Sequence, residues 1–600
     1  MGLHFIFGAA GTGKTRRCCE EIRDYVTGKK RRSAFFLVPD QETYTAERML
    51  ADIFPGHGFI NATVCGFSRL AYRVFNELRS PVQDALSPLG QQIIISRILA
   101  EHRDELQMLM KISSQPHFAE NLMNLFHQLD MFCISETALH DVSLAEEGTP
   151  LGRKLADLSL LYKNYHDYLH TRFSYEGSLF DLLAGEIPKS EILRRSRIWI
   201  DGFNGMTPQK IRIVSALIRT AEEVTFTLPL PDVKEGLSNE IFARPANLYA
   251  LLSEEEPHFD SVTLPERKRF RCPRLRCLAA DYFQNVPSPC PLPKETSPVP
   301  EKGIHIVSAP DSQTEADFIS RRILSLVRDK NLRWRDILVL LRSADTYTDP
   351  LERSFSRYGI PVFTDEKQPM NNHPLVMLLD GLLHFIKAES RGKNRGFTRE
   401  HIFRILKTEI FPSFPTDMID KLENYVLKYH IRFSTWQKPW AFRDYRSIDQ
   451  EPAPLSDKEI TKQNTANTWR EKVLSLLNPF LAGWKGSPAA EYKCAFLYRW
   501  LTEQQIPETL SVWDELEFEK TKKRPHLQVW KKVLSLLDEI VHVTGKDILP
   551  EEELCGILAD GLSALTFSMI PPTLDHVTVT SIDRGYAAEA KVVFIPGALE

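Results

Sequence analysis

Near the start of this 600-residue chain, Gly8-Ala9-Ala10-Gly11-Thr12-Gly13-Lys14-Thr15 has the residue types and spacing to hold a nucleotide. The pattern is G-x-x-x-x-G-K-[ST], and it follows a short apolar run, Leu3-His4-Phe5-Ile6-Phe7. A phosphate-binding loop needs that placement, after a strand and before a helix. Its glycines let successive backbone N–H groups turn inward onto phosphate oxygens. The following helix adds the positive end of its dipole. Lys14 reaches β- and γ-phosphates, and the Thr15 hydroxyl is a Mg²⁺ ligand. The chemistry implied is binding of ATP with Mg²⁺. The alternative, a chance match in a glycine-containing turn, is opposed by the apolar run ahead of the loop.

Positioning such a loop takes a parallel sheet. Ser33-Ala34-Phe35-Phe36-Leu37-Val38 reads as a fully buried strand from its unbroken apolar character, ending at Pro39-Asp40-Gln41. Residues 62–67 form another apolar run, with helical spacing over 68–78, and strand-like runs return at 197–201 and 224–228. Between them, residues 82–190 are dominated by amphipathic helical patterns and read as an all-helical insertion. Residues 229–302 are rich in proline and charge, with Pro287, Pro289, Pro291 and Pro293 close together, and read as a linker or irregular excursion. A second α/β unit is expected from Ile304-His305-Ile306-Val307 and the run at 336–341. A mostly helical stretch follows over 374–570, and strands return at 576–580 and 592–595. Because Glu600 directly follows a strand and its turn, the chain is expected to be the N-terminal part of a longer protein.

The bulk composition narrows the class. A chain 43% hydrophobic and 26% charged is an ordinary globular one. No apolar run approaches the ~18 residues that span a bilayer, and the N-terminus lacks a signal-like pattern. A cytoplasmic protein without membrane association is expected. Nine scattered cysteines suit reduced thiols. A zinc site at Cys272 and Cys277 lacks a second ligand pair. With a net charge of -4, binding of nucleic acid would need a local groove. Three basic clusters are candidates, unless they are solvated surface: residues 29–32; Arg267, Lys268, Arg269, Arg271, Arg274 and Arg276; and Lys520, Lys522, Lys523 and Arg524.

Two α/β cores, each interrupted by helices, resemble the UvrD-like superfamily 1 helicases. The loop at 8–15 matches their motif I, Phe67-Ser68-Arg69-Leu70-Ala71 their early strand-contacting motif, and Asp201-Gly202-Phe203-Asn204-Gly205 a worn D-E-F-Q-D motif II. Leu340-Leu341-Arg342-Ser343 resembles motif IV, and residues 577–582 with Glu589 resemble motif V. Within that superfamily, the N-terminal loop, Leu37-Val38-Pro39-Asp40-Gln41 and Phe67-Ser68-Arg69-Leu70-Ala71 are similar to the AddB family. AddB proteins are the second subunits of bacterial AddAB-type helicase–nucleases. The resemblance implies two tandem RecA-like P-loop cores, 1–81 with 191–300 and 301–373 with 571–600. It also implies helical insertions at 82–190 and 374–570, and a nuclease domain with a 4Fe-4S cluster beyond residue 600. It implies an AddA-type helicase–nuclease partner in a heterodimer, acting on double-stranded DNA ends and single-stranded DNA. Cofactors would be ATP, on residues 8–15 and Asp201, and Mg²⁺, on Thr15 and Asp201. Positions matched to reading of the Chi hotspot are Gln41, Thr43, Phe67, Arg69, Tyr72 and Phe203. Tyr72 stands where relatives carry Trp. Phe67 and Phe203 also suit a core, and Arg69 suits an ion pair.

Several departures argue against an active motor. The Glu that activates water in motif II is Gly202 here, and loss of a general base typically costs roughly 10²–10⁴ in rate. Seven residues before the loop leave no room for an adenine-reading Gln. Pro229-Leu230-Pro231-Asp232 stands where a γ-phosphate-sensing Gln is usual, and Ala587 replaces a Gly. The expectation is a chain that binds ATP, hydrolyses it weakly or not at all, and scans single-stranded DNA. The rivals are an active superfamily 1 helicase, a non-catalytic DNA-binding scaffold and, more distantly, a P-loop kinase.

Overall fold

Six strands form the first sheet: β1 (Leu3–Phe7), β2 (Ser33–Leu37), β3 (Ala62–Cys65), β4 (Ser196–Ile200), β5 (Glu223–Leu228) and β6 (Phe259–Thr263). They lie in the order β3-β2-β4-β5-β1-β6, all parallel. The structure, a computed structural model, describes the chain apart from residues 1, 29–32, 55, 57, 81–85, 114, 116–117, 173–175, 232–238, 271, 282–302, 365–368, 443–455, 522–523, 568–574, 583–589 and 599–600. The basic run at 29–32, Arg271, the prolines at 287–293, Lys522, Lys523, Asp232, Ala587, Glu589 and Glu600 thus lie outside the described residues.

The unbroken apolar runs are explained by burial on both faces. Phe5, Ile6, Phe35, Phe36, Ile198 and Phe226 are all sealed from solvent, as parallel strands covered by helices must be. Three helices flank the strand ends that matter here: α1 (Lys14–Thr27), α2 (Thr43–Ile53) and α3 (Phe67–Leu78). Because all six strands point one way, the loops that follow them gather on a single edge, where ligands of open parallel sheets bind.

Within residues 229–302, the described stretches 239–270 and 272–281 are not the irregular excursion that their composition suggested. They contain the helices Ala243–Glu255 and Pro273–Asp281, and β6 pairs with β1 from Leu3↔Phe259 to Phe7↔Thr263. As an edge strand, half solvated, β6 has no apolar run to betray it.

The chain leaves the first sheet after α3 and returns at β4. Exit and return are tied together by Glu77, whose carboxylate accepts a hydrogen bond from the Ile192 N–H at 2.9 Å. A second parallel sheet comprises β7 (Ile337–Leu341), β8 (Val362–Thr364), β9 (Val577–Ser581) and β10 (Val592–Phe594), in the order β10-β7-β9-β8. Residues 304–307, expected to open this unit as a strand, belong to no strand, and Ile306 is 97% exposed. Their local pattern suits a strand, but no neighbour supplies the backbone partners.

The helical stretch between β3 and β4 and the one between β8 and β9 share one apolar core. The helix Pro88–Glu101 buries Gln91, Ile93, Ile94, Ile95, Ile98 and Leu99, so it is apolar nearly all round. A helix of that kind must be covered on every side. Phe126, Tyr162 and Tyr165 join Leu379, Leu383, Val533, Leu536 and Leu558 in its core. Glu539 seals the contact by accepting from the Gly90 N–H at 3.1 Å. Among the described residues no helix is long and apolar enough to cross a membrane.

Candidate nucleotide site and the sheet edge beside it

Gly11 and Gly13 adopt φ of 83° and 91°, the left-handed region where a side chain is strained. Gly13 caps α1 without a side-chain bond, and the first turn of α1 carries no acidic residue. The positive end of that helix is therefore not offset by a neighbouring carboxylate in its own first turn. The loop closes on itself: Lys14 Nζ donates to the carbonyl oxygens of Gly8 at 2.8 Å and Ala9 at 3.1 Å. Thr12 Oγ1 donates to Ala9 O at 3.0 Å. A ligand that takes Lys14 must draw it off these two carbonyls.

The segment after β6 packs onto this loop. Leu264 N–H donates to Phe7 O at 2.8 Å, and the N–H groups of Lys268 and Arg269 both donate to Gly11 O, at 2.8 and 3.0 Å. A Cβ on Gly11 would stand 3.0 Å from Arg269 Cβ and 3.2 Å from the Phe270 ring, so close approach as well as φ requires glycine there. Burial lowers the Lys14 pKa from its ordinary value, Asp201 opposes that shift and Arg269 adds to it. Two cations therefore converge on one loop. The basic cluster at 267–269, ambiguous as sequence, sits against the phosphate loop.

Asp201 directly follows β4 and is buried. Its N–H donates to Leu37 O at 3.0 Å, and its carboxylate accepts from the Thr227 hydroxyl on β5. Gly202 follows with φ of 85°. A Cβ there would lie 2.7 Å from Glu42 Oε2 and 2.9 Å from Pro39 Cδ. The side-chain space at position 202 is thus filled from the turn after β2. Burial, reinforced by the Asp201 charge, pushes the Glu42 carboxyl up to about 7. Glu42 was not singled out from sequence. Its position between Gln41 and Thr43, in a turn ending a buried strand, was the available signal.

The residues matched to strand reading fall on the same edge, in two environments. Gln41, Arg69 and Tyr72 are exposed, Tyr72 to 44%. Arg69 Nη1 lies 3.7 Å from Glu47, a solvated pair, and Thr43 Oγ1 donates to Asp40 O at 2.9 Å. Phe67 and Phe203 are instead buried, at 3% and 9% exposure, with ring centroids 5.6 Å apart. That is the core alternative left open by the sequence; as placed, neither ring offers a face to solvent. Gly66 brings these segments together, because a Cβ there would fall 1.8 Å from Asp40 Oδ1.

A parallel sheet, a glycine-rich loop between its first strand and helix, and a buried Asp two strands away make this an α/β protein with a candidate phosphate site at one sheet edge. Residues 5–278 match the family described as ADDB, N-terminal. The whole chain is 33% identical to the B subunit of the ATP-dependent helicase/deoxyribonuclease of Heliobacterium modesticaldum, covering 50% of that protein. It is 32% identical to the same-named protein of Pelotomaculum thermopropionicum and 31% identical to that of Geobacillus kaustophilus, covering 52% of each. The chain is similar to AddB proteins along its whole length. It spans about half the length of the curated relatives it matches.

Proposed function

We propose that this chain is the helicase-like part of a heterodimeric ATP-dependent helicase–exonuclease that processes double-strand DNA breaks for homologous recombination. It binds ATP through residues 8–15 and, with Thr15 and Asp201, the accompanying Mg²⁺. It does not drive translocation. In this reading the two sheets are tandem RecA-like cores, 1–81 with 191–300 and 301–373 with 571–600, and residues 82–190 and 374–570 are their insertions. An AddA-type subunit supplies the motor. The 5'-3' exonuclease and its 4Fe-4S cluster belong to residues beyond these 600.

The observation that carries the reading is the pairing of an intact phosphate loop with Gly202. The loop keeps its glycine geometry, an uncompensated helix start and two cations. The position that should carry the water-activating Glu has no side chain and no room for one. Donors of this kind suit a polyphosphate with a divalent cation, which supplies charge neutralisation at the phosphates when bound. The exposed Gln41, Arg69 and Tyr72, over the buried Phe67–Phe203 pair and beside Thr43, form the face proposed to scan single-stranded DNA for the Chi hotspot. Aromatic and polar side chains are what unstacked bases need. The relatives are named as one subunit of a larger enzyme, which supports a partner chain here.

Thermal unfolding with and without ATP–Mg²⁺ tests the site. The native chain is expected to gain stability from nucleotide, and Lys14→Ala to lose that gain entirely. Brisk DNA-stimulated hydrolysis by the purified chain would overturn the claim of a silent motor.

A further inference from the structure

We propose that Glu42 supplies the carboxylate missing at position 202, holding the water that attacks a bound γ-phosphate and taking its proton. This rests on residues 8–15 being an ATP site, and it gives that site a slow chemistry of its own. The geometry is specific. Glu42 closes the three-residue turn Asp40–Glu42, which is fixed by the Glu42 N–H donating to Pro39 O at 2.8 Å. β2 lies beside β4 in register, with Leu37 opposite Ile200. The turn after β2 therefore faces the residue after Asp201. Glu42 Oε2 sits 2.7 Å from where a Cβ of residue 202 would begin, and Pro39 fills the rest of that space. The carboxylate thus arrives in the neighbourhood of Asp201 from the adjacent strand instead of from the next residue.

In the step, the water oxygen bonds to the γ-phosphorus as the bond from that phosphorus to the β,γ-bridging oxygen breaks. The electron pair leaves on ADP, the water's proton passes to the Glu42 carboxylate and then to solvent, and inorganic phosphate departs. A carboxylate reaching across from a neighbouring turn is held less firmly than one fixed beside the Mg²⁺ ligand. Turnover is therefore slow, and no coupling to movement along DNA is required.

The test compares the native chain with Glu42→Gln and Glu42→Ala. Three affinities are measured with Mg²⁺ present: for a non-hydrolysable ATP analogue, for ADP, and for ADP with aluminium fluoride, which mimics the phosphoryl group in flight. Single-turnover hydrolysis is measured alongside. The native chain should bind ADP–aluminium fluoride about tenfold or more tighter than ADP, since a group acting on the transition state prefers its mimic. Both variants should keep analogue affinity within about twofold while losing that preference and slowing hydrolysis about tenfold or more. Variants that retain the preference and the rate would overturn the proposal. So would a native chain that binds the analogue but shows neither. A native chain that binds no nucleotide would instead remove the ATP-site reading, and this inference with it.

Discussion

Arg269 reaches the phosphate loop from the segment after β6 and stands near Lys14 with its charge already felt there. Holding two cations together costs free energy unless an anion joins them. Arg269→Ala should therefore weaken ATP binding about tenfold, or ~1.4 kcal/mol, with a shallower salt dependence. Titration of a fluorescent nucleotide at two ionic strengths would read both, and unchanged affinity would remove Arg269 from the site. The proposed roles of Lys14, Thr15 and Asp201 could be read from sequence because each sits within a local pattern. Glu42 and Arg269 were not, because their neighbours are chosen by strand order. Nothing near position 42 says that β2 will lie beside β4, and nothing near 269 says that β6 will lie beside β1. Phe67 and Phe203 are a different case: an aromatic suits a stacking platform and a core equally, and burial is what distinguishes the two environments.

Among the elements, the interior strands announced themselves, and so did the edge strands β3 and β10, but the edge strand β6 did not. β1, β2, β4 and β5 are rich in buried apolar residues because helices cover both faces. β6 has one neighbour and reads as loop, while residues 304–307 read as strand and have none. One helix start carries a pH dependence. His373 caps the helix Pro374–Ser390, its Nδ1 accepting from the Leu375 N–H at 3.2 Å. Its Nε2 donates to His526 Nδ1 at 2.9 Å. Asp514 is the acidic group nearby, accepting from the N–H groups of His526 and Leu527 at 2.9 and 2.8 Å. Burial, with His526 adding and Asp514 opposing, brings His373 down to about 4. A lowered folded pKa means that the unfolded chain binds the proton more readily. The contribution is thus full above the unfolded pKa of about 6.5 and is lost as pH falls through about 4. Denaturation midpoints of His373→Asn, which keeps a capping side chain, should fall less steeply across that window than those of the native chain. Parallel slopes would show that His373 does not govern acid stability.

At the scale of the molecule, the helical stretch that interrupts each sheet was legible, but the union of the two was not. Periodicity says that Pro88–Glu101 is a helix; it does not say that the faces left over are covered by chain hundreds of residues away. Gly561 is one point of close approach. A Cβ there would lie 2.5 Å from Leu536 Cδ1 and 3.2 Å from Leu89 Cδ1. Gly561→Ala should cost ~1–3 kcal/mol by overpacking. Because the core is shared, probes placed in 118–172 and in 374–565 should report the same lowered denaturation midpoint, and separate transitions would contradict a single core. The same union has a consequence for how the protein is made. The helix Pro88–Glu101 emerges from the ribosome about 420 residues before the helices Pro525–Thr544 and Glu551–Ser563 that cover its far side. At ordinary synthesis rates that gap lasts roughly 20–90 s. Throughout it the far side of this Ile-rich helix lacks its native cover, so the nascent chain is expected to lean on chaperones at residues 93–99.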